Sequence, residues 1–285
     1  VFKTANVRSV VMTNDPFDDK EREVWQRVKP AVDKRFRAAL RIDRLLVDWG
    51  NASENLAAWG YEVEPRLGDW TRREIRRFLT DWVKTMNPAY MAASLPPTFA
   101  FPDDSPSGKI IEDCILPVGR DFKIPFALMI GVKKQVNPGL RLAGDGIGKS
   151  PITSVERLAA DHPDNKFLVT MLSRENQHEL CVTARKFPNL MIFGCWWFLN
   201  NPSIIREMTS ERLELLGLSV IPQHSDARVL DQLLYKWRHS RSAIAEVLAG
   251  KYRDLEASGW KVTENELKRD VELLFGGVFE EFIAR

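Results

Sequence analysis

Residues 223–228 bring an amide, an imidazole, a carboxylate and a guanidinium together in one short turn, as Gln-His-Ser-Asp-Ala-Arg. The turn follows an apolar run at 218–221 that is typical of a buried strand, and a helical pattern begins directly after it. These residue types can move protons and bind anions. Asp226 could instead cap the following helix, since aspartate is a common N-cap. The position of the turn in the fold therefore decides its meaning.

Short, nearly continuous apolar runs alternate along the chain with amphipathic helical stretches. Continuous apolar runs indicate parallel strands buried on both faces, and the alternation predicts a parallel sheet covered by helices. The predicted strands are 9–13, 36–41, 90–94, 126–131, 166–172, 190–195 and 218–221. Three predicted capping boxes pair Thr71 with Glu74, Thr153 with Glu156, and Thr263 with Glu266.

Seven strands are one fewer than a (β/α)8 barrel needs to close. The sequence begins at Val1 rather than at methionine, within a few residues of a predicted strand. We therefore expect residues 1–285 to form a single TIM-type α/β barrel that lacks its first strand, with an open sheet as the alternative. Residues 46–86 are predicted to be a helical insertion, and residues 228–285 to be C-terminal helices with a break near Gly259.

Composition excludes several classes of function. A net charge of +2, without a basic stripe, argues against nucleic acid, and no apolar run approaches the ~20 residues needed to span a bilayer. Three scattered cysteines favour reduced thiols and a cytoplasmic location. The stretch AGDGIGKS at 143–150 resembles a phosphate-binding loop, but Ala143 stands where that motif needs glycine, so no nucleotide is expected.

The residues that follow the strands should gather at the active face of a barrel. Cations outnumber carboxylates there, which suits a small, anionic, hydroxylated substrate, because guanidinium groups bind carboxylates and phosphates. Other interpretations remain open: a salt bridge between Arg41 and Asp43, core filling by Trp196 or Trp197, and ordinary solvated lysines. The residues in question are Asn14, Asp15, Arg41, Asp43, Ser94, Lys133, Lys134, Arg174, Trp196, Trp197, His224, Asp226 and Arg228.

Taken together, several stretches resemble the uronate (glucuronate) isomerase family of the amidohydrolase superfamily. They are MTNDPFDD (12–19), AALRID (38–43), SLPPTFAFP (94–102), PFALMIGVKK (125–134), KFLVTMLSRENQHEL (166–180), FGCWWFLNNP (193–202) and IPQHSDARVLDQL (221–233). The family's first strand ends in His-x-His, which occurs nowhere in this sequence. The resemblance therefore implies that the first strand and its helical insertion precede Val1.

The resemblance also implies roles for single residues. Asp226 matches an aspartate that ligates a divalent metal, expected to be zinc, and transfers protons, with the other ligands expected upstream. Arg228 matches an arginine that stabilises an enediolate, and Arg41 one that contacts the substrate carboxylate. Trp196 and Trp197 match a Trp-Trp pair; Arg174 and His224 are further candidate substrate contacts. Met129 departs from the better-known branch of the family, which has histidine there in Q-L-H-I-G, so a ligand or acid role is not expected from that strand.

The implied reaction interconverts D-glucuronate and D-fructuronate, and D-galacturonate and D-tagaturonate, through a cis-enediol. It needs a base, an oxyanion stabiliser and an anchor for the distal carboxylate, and Asp226, Arg228 and Arg41 could supply these. Two alternatives remain open: a metal-dependent sugar-lactone hydrolase on the same barrel, and a catalytically inactive fragment. The expected partner is a small uronate, with neither nucleic acid nor membrane, and a homo-oligomer is left open.

Overall fold

Six parallel strands form the main sheet of the computed structural model, which describes residues 1–27 and 33–284; Arg285, the last residue of the expected helical region, lies outside the described residues. The strands are β1 (Val10–Asn14), β2 (Phe36–Arg41), β3 (Met91–Leu95), β4 (Phe126–Ile130), β7 (Phe167–Met171) and β8 (Leu190–Ile192). A short antiparallel pair, β5 (Val132–Lys133) and β6 (Gly146–Ile147), lies between β4 and β7. Each main strand pairs with the next along the chain, which is the order of a (β/α)8 barrel wall.

Helices connect the strands. In the first half these are α1 (Phe2–Ala5), α2 (Asp19–Arg27), α3 (Asp43–Val47), α4 (Trp49–Ala58), α5 (Asp69–Met86), α6 (Pro106–Ile110) and α7 (Leu116–Phe122), with a π-helical turn at Ile111–Ile115. The second half contains α8 (Thr153–Asp161), α9 (Gln177–Ala184), α10 (Pro202–Leu216), α11 (Gln232–Ala257), α12 (Glu264–Glu272) and α13 (Val278–Ala284). Short 3-10 turns cover Pro138–Gly144, Arg174–Asn176 and Trp197–Leu199, and a π-helical segment covers Leu273–Gly277.

The sheet buries two different apolar faces. Its outer face carries large side chains such as Leu40, Met91 and Leu128, which pack against the helices. Its inner face carries the small side chains Ala39, Ala92 and Ala127 together with larger ones such as Leu168 and Met191. Strands β3, β4, β7 and β8 are mostly buried on both faces, which explains their nearly continuous apolar sequences, whereas β1, at the edge of the sheet, is half-buried or exposed.

Strand register decides which polar residues point inward. Partner residues on neighbouring parallel strands share a face, because side chains alternate along each strand. One inner row runs from Arg41 through Ala92, Ala127 and Leu168 to Met191. The row above it contains Ser94, Met129 and Thr170. Arg41 therefore projects from the inner face at the carboxyl end of β2.

Helix α13 closes the opposite end of the barrel. Val278 and Phe282 pack into the inner cluster, and Arg37, near the start of β2, donates a 2.6 Å hydrogen bond to Glu280. Lys166, just before β7, donates to the carbonyl of Phe282 at 2.9 Å. The amino end of the sheet is thus sealed, which leaves the carboxyl end as the place for a site.

The last predicted strand is reduced to a single parallel bridge between Phe193 and Ile221. The amide of Ile221 donates to Ile192 at 3.0 Å, and the amide of Gly194 donates to Ile221 at 2.7 Å. Pairing stops there because Pro222 has no N–H to donate and because Gly194, at φ +71°, turns the chain away. The same turn ends β8 at Ile192, three residues before the predicted end.

Only one of the three predicted capping boxes forms. Thr263 and Glu266 make both reciprocal bonds at the start of α12. The other two predictions are wrong, because α5 begins earlier, with Gly68 as its N-cap, and α8 begins after Ile152 without a side-chain cap. Thr71 instead accepts a hydrogen bond from the amide of Glu64, so tertiary contacts use its hydroxyl.

Candidate active site

Arg41 and Asp43 form a two-point ion pair at the carboxyl end of β2. Arg41 donates from Nε to Asp43 Oδ2 at 2.8 Å and from Nη2 to Oδ1 at 3.0 Å. The amide of Ser94 on β3 also donates to Asp43 Oδ1, at 3.0 Å, which fixes the carboxylate between two strands. The salt-bridge interpretation is thus what the structure shows. Nη1 of Arg41 has no hydrogen-bond partner within the described residues, so one face of the guanidinium stays available to an anion.

Asp15 lies beside this pair. Burial raises the pKa of its carboxyl group, against the lowering effect of the Phe17 amide and of Arg41. The hydrogen bonds that Arg41 donates to the carboxylate of Asp43 raise the pKa of Arg41. The three residues Asp15, Arg41 and Asp43, here called the Arg41 group, form a charged cluster at the ends of β1 and β2.

Asp226 lies beyond the last bridge, in a turn. It is exposed at the surface and has left-handed backbone geometry, with φ +49°. Partial desolvation raises the pKa of its carboxyl group, although Lys236 and Arg228 act in the opposite direction. It does not cap the following helix, because α11 begins at Gln232 with Asp231 at its N-cap position. Its side chain therefore remains available for chemistry.

His224 is half-buried in the same turn, with its Nε2 atom shielded from solvent. Its ring centroid lies 5.5 Å from that of Phe193, and its Nε2 has no hydrogen-bond partner among the described residues. Burial, reinforced by Arg212 and Lys236, lowers the pKa of His224 to about 4. The imidazole is thus neutral near pH 7 and lies against Gly194, where only a glycine leaves room for it.

Trp196 and Trp197 occupy different environments. Trp196 is buried with Val132 and Leu172, whereas Trp197 is half-buried and adopts φ +50°. Their ring centroids are 5.8 Å apart, and the ring of Trp197 stacks on Phe198 at 4.6 Å. Trp196 therefore fills core, and Trp197 is the member of the pair with free ring surface.

Two of the remaining cations, Arg174 and Lys134, are paired with acids, and Lys133 and Arg228 are exposed. Arg174 pairs with Glu207 of α10 through Nε at 2.9 Å and is exposed. Lys134 pairs with Asp145 at 2.7 Å beside the β5–β6 pair, and Lys133 is exposed. Arg228 is exposed, and its amide donates to Gln232 at 2.8 Å. No hydrogen bond or ion pair of the described residues links the Arg41 group to the Asp226 turn.

A buried polar network supports the Asp226 turn. Gln223 accepts from the amides of Cys195 at 2.7 Å and His224 at 3.1 Å. Below it Arg212, with 1% of its surface exposed, donates to the carbonyls of Gly194 at 3.0 Å and Pro222 at 3.5 Å. Sequence reasoning assigned no role to either residue. Gln223 lies inside the motif at 223–228, so its position offered a reason to consider it. Arg212 lies on a helix, and nothing in the sequence distinguished it from other helical arginines.

The described residues do not fit a complete divalent metal site. Within residues 1–27 and 33–284, no three His, Cys, Asp or Glu side chains are grouped so that they could hold an ion. Asp226 is one carboxylate, and a stable site needs several converging ligands. No step is therefore derived through a metal, and the expected zinc stays a prediction.

Comparison with known proteins identifies the family. No protein-family model matches the chain, and no curated protein does. A solved uronate isomerase from Bacillus halodurans C-125 is 59% identical with a TM-score of 0.98, over 100% of this chain and 67% of that one. The chain belongs to the uronate isomerase family.

Two further solved structures share the fold. The uronate isomerase from Thermotoga maritima is 14% identical with a TM-score of 0.77, over 99% of this chain and 68% of that one. The glucuronate isomerase from Caulobacter crescentus is 12% identical with a TM-score of 0.75, over 99% and 65%. The predicted barrel class and the predicted family, one of aldose–ketose isomerases, are thereby confirmed. Every helix of the described residues is too short or too polar to cross a membrane.

Proposed function

We propose that this uronate isomerase family member interconverts D-glucuronate with D-fructuronate, and D-galacturonate with D-tagaturonate. The observation that carries the proposal is the 59% identity over the whole chain to a solved uronate isomerase. The charged groups at the carboxyl ends of the strands support it, because a uronate offers a carboxylate at one end and an aldehyde or ketone at the other.

Asp226 is the proposed base. Its carboxylate takes the proton from C2 of the aldose; the electrons of that C–H bond form the C1=C2 double bond, and the π electrons of the C1=O1 carbonyl move onto O1 to give the enediolate. The hydroxyl proton passes from O2 to O1, and Asp226 returns its proton to C1 to give the ketose. Desolvation raises the pKa of Asp226, which makes its carboxylate a stronger base.

Arg228 and Arg41 are the proposed anion-binding residues. Arg228 lies two residues beyond Asp226 and would stabilise the negative oxygen that develops on the enediolate. Arg41 would bind the distal carboxylate through the nitrogen that Asp43 leaves unused. Trp197 would offer its exposed ring surface to the sugar, and His224 would border the turn as a neutral group. Arg174, held by Glu207, is a more peripheral contact.

Zinc, a cytoplasmic location and a small-molecule uronate partner remain predictions. Asp226 is the carboxylate that this chain would offer to a divalent ion.

Proton transfer in heavy water tests the proposal. The chain is incubated with D-glucuronate in D2O, with and without added Zn²⁺, and followed by NMR for ketose formation and for deuterium at the exchanging carbon. We expect both signals, and we expect Asp226→Asn to abolish them. Arg228→Met should lower turnover by roughly 10²–10³-fold.

Asp231→Asn is the matched control, since Asp231 is an exposed carboxylate five residues further on, and its loss should change little. Absence of both signals from the unaltered chain with Zn²⁺ would contradict the proposal, as would full activity of Asp226→Asn. Acid release from a sugar lactone without any ketose would favour the hydrolase alternative.

A further inference from the structure

Asp226 is held through both peptide groups that flank it. The carbonyl of Ser225, which belongs to the peptide entering Asp226, accepts a hydrogen bond from Asn200 Nδ2 at 3.3 Å. The carbonyl of Asp226 itself, in the peptide leaving it, accepts one from Lys236 Nζ. Two side chains from separate parts of the chain therefore restrain the peptide planes before and after Asp226, and with them its backbone dihedral angles.

The backbone of Asp226 needs such support. Its φ of +49° lies in the left-handed region, which residues other than glycine rarely adopt, although aspartate tolerates it better than most. Unfavourable backbone geometry persists only where the surroundings enforce it. Asn200 and Lys236 are the groups that contact the two peptides in question.

The orientation of the Asn200 amide is determined by its neighbours. Gln223 uses its carbonyl oxygen for the amides of Cys195 and His224, so its Nε2 must be the donor to Asn200 Oδ1 at 3.0 Å and to Ser240 at 3.1 Å. Because Oδ1 of Asn200 is thereby an acceptor, its Nδ2 faces Ser225. The buried network thus aims a donor at the Asp226 turn.

Lys236 approaches from the other side. It lies in the second turn of α11, a 26-residue helix that is anchored to α10 and α1 by the contacts of Arg206 with Glu246 and of Arg241 with Ala5. The ammonium group reaches back ten residues to the Asp226 carbonyl. Its charge also opposes the rise in the pKa of Asp226 that desolvation causes.

We propose that Asn200 and Lys236 are positioning residues that clamp the peptide groups on both sides of Asp226 and so hold its carboxylate in the orientation that proton transfer requires. The kinetic part rests on the proposed role of Asp226 as base; the conformational part does not. Both residues bind backbone carbonyls, and neither needs to contact the substrate. Their loss should therefore reduce kcat far more than it changes KM.

Four variants separate the clamp from general damage. Lys236→Met removes the donor and keeps most of the aliphatic side chain, whereas Lys236→Arg keeps a donor. Asn200→Asp keeps the oxygen that accepts from Gln223 and loses the donor to Ser225. Lys268→Met is the matched control, because Lys268 is an exposed lysine of α12 whose ion pair, with Glu264, lies within its own helix.

The first measurement is conformational and needs no activity. The chain is labelled with ¹³C-aspartate, and the Asp226 signal is assigned by its loss in Asp226→Asn. We expect its Cα shift to move or broaden in Lys236→Met and in Asn200→Asp, and to stay in place in Lys236→Arg and Lys268→Met. An unmoved signal in both Lys236→Met and Asn200→Asp overturns the proposal.

The second measurement is kinetic. We expect kcat to fall roughly 10- to 10²-fold in Lys236→Met and Asn200→Asp, since a misplacement of about 1 Å costs that much, with KM changing less than about threefold. Lys236→Arg should recover most of the turnover. Unchanged kcat, or a loss confined to KM, overturns the positioning role. If the unaltered chain transfers no proton, the proposed function fails, and the NMR result alone decides the clamp.

Discussion

Gly194 and His224 lie so close together that a β-carbon on the glycine would stand 1.8 Å from the imidazole Cδ2. Gly194 also has φ +71°, which side-chain-bearing residues rarely adopt. We expect Gly194→Ala to lower the free energy of unfolding by about 2–5 kcal/mol, from strain and overpacking together. Gly217→Ala is the matched control, because Gly217 has φ +60° and open space around it. Gly217→Ala should lower the free energy of unfolding, measured in urea, by about 1–2 kcal/mol. Equal losses in the two variants would show that the His224 contact is unimportant.

Arg212 is a buried cation whose described hydrogen-bond partners are neutral groups. It binds the carbonyls of Gly194 and Pro222 and the amide oxygen of Gln177. We expect Arg212→Met to destabilise the chain by about 2–4 kcal/mol, since carbonyls would be left unpaired in the core. Arg206→Met, on the exposed side of the same helix, removes only a surface pair with Glu246 and should cost less than about 1 kcal/mol. Thermal unfolding compares the two, and a similar cost for both would refute the bridging role.

His224 should make the chain less stable in mild acid. Burial lowers its folded pKa to about 4, below the ordinary value of 6.5, so the unfolded chain binds the proton more tightly. The contribution of His224 is complete above pH 6.5 and declines as the pH falls towards 4, by on the order of 3 kcal/mol. Asp15 and Asp226, with raised pKa values, contribute slopes of the opposite sign.

Urea unfolding between pH 4 and pH 7 checks this contribution in the chain and in His224→Gln. We expect the free energy of unfolding of His224→Gln to fall less steeply as the pH is lowered, because the contribution of His224 is absent. His178→Gln is the control, since His178 is exposed and its loss should leave the slope in place. Identical slopes for the unaltered chain and His224→Gln would disprove the assignment.

Asp43 should affect substrate binding through Arg41. Asp43→Asn removes the charge that holds the guanidinium at two points, so we expect KM for a uronate to rise roughly 10-fold while kcat changes less. Asp33→Asn is a closely matched control, because Asp33 holds Arg35 with the same sequence spacing and two-point geometry at an exposed site. Steady-state kinetics with both variants decide the matter. If Asp43→Asn leaves KM unchanged, the anchor is elsewhere.

Strands were predictable where both faces are buried, and less so where backbone chemistry intervenes. The run at 126–131 became β4, which ends one residue earlier at Ile130, because continuous apolar sequence has one stable place in a parallel sheet. The run at 218–221 looked equally apolar but kept one bridge, since Pro222 and the turn at Gly194 interrupt pairing. Apolar content alone does not reveal such an interruption.

The residues of the site were partly visible, and their supports were not. Asp226 and Arg41 were identified from their places after strands and from resemblance. Lys236 lies ten residues beyond Asp226, on a helix whose lysines look like ordinary surface charges. Asn200 was quoted in a motif but given no role. Contacts between side chains and distant backbone carbonyls leave no pattern in the sequence, because any carbonyl can accept them.

The two faces of the barrel wall have a consequence for how strand alignment is encoded. In ordinary half-exposed strands, the alternation of polar and apolar residues specifies the strand register, since a slip by one residue would put apolar side chains into water. In β4 both faces carry apolar side chains, so polarity carries little of that information. Side-chain volume specifies the register instead. A slip of β4 by one residue would force Leu128 into the narrow interior where Ala127 fits, and would leave a gap beneath the helices. In β4 the small residue Ala127 specifies the alignment, and Ala127→Leu should perturb folding more than an exchange among the large outer residues.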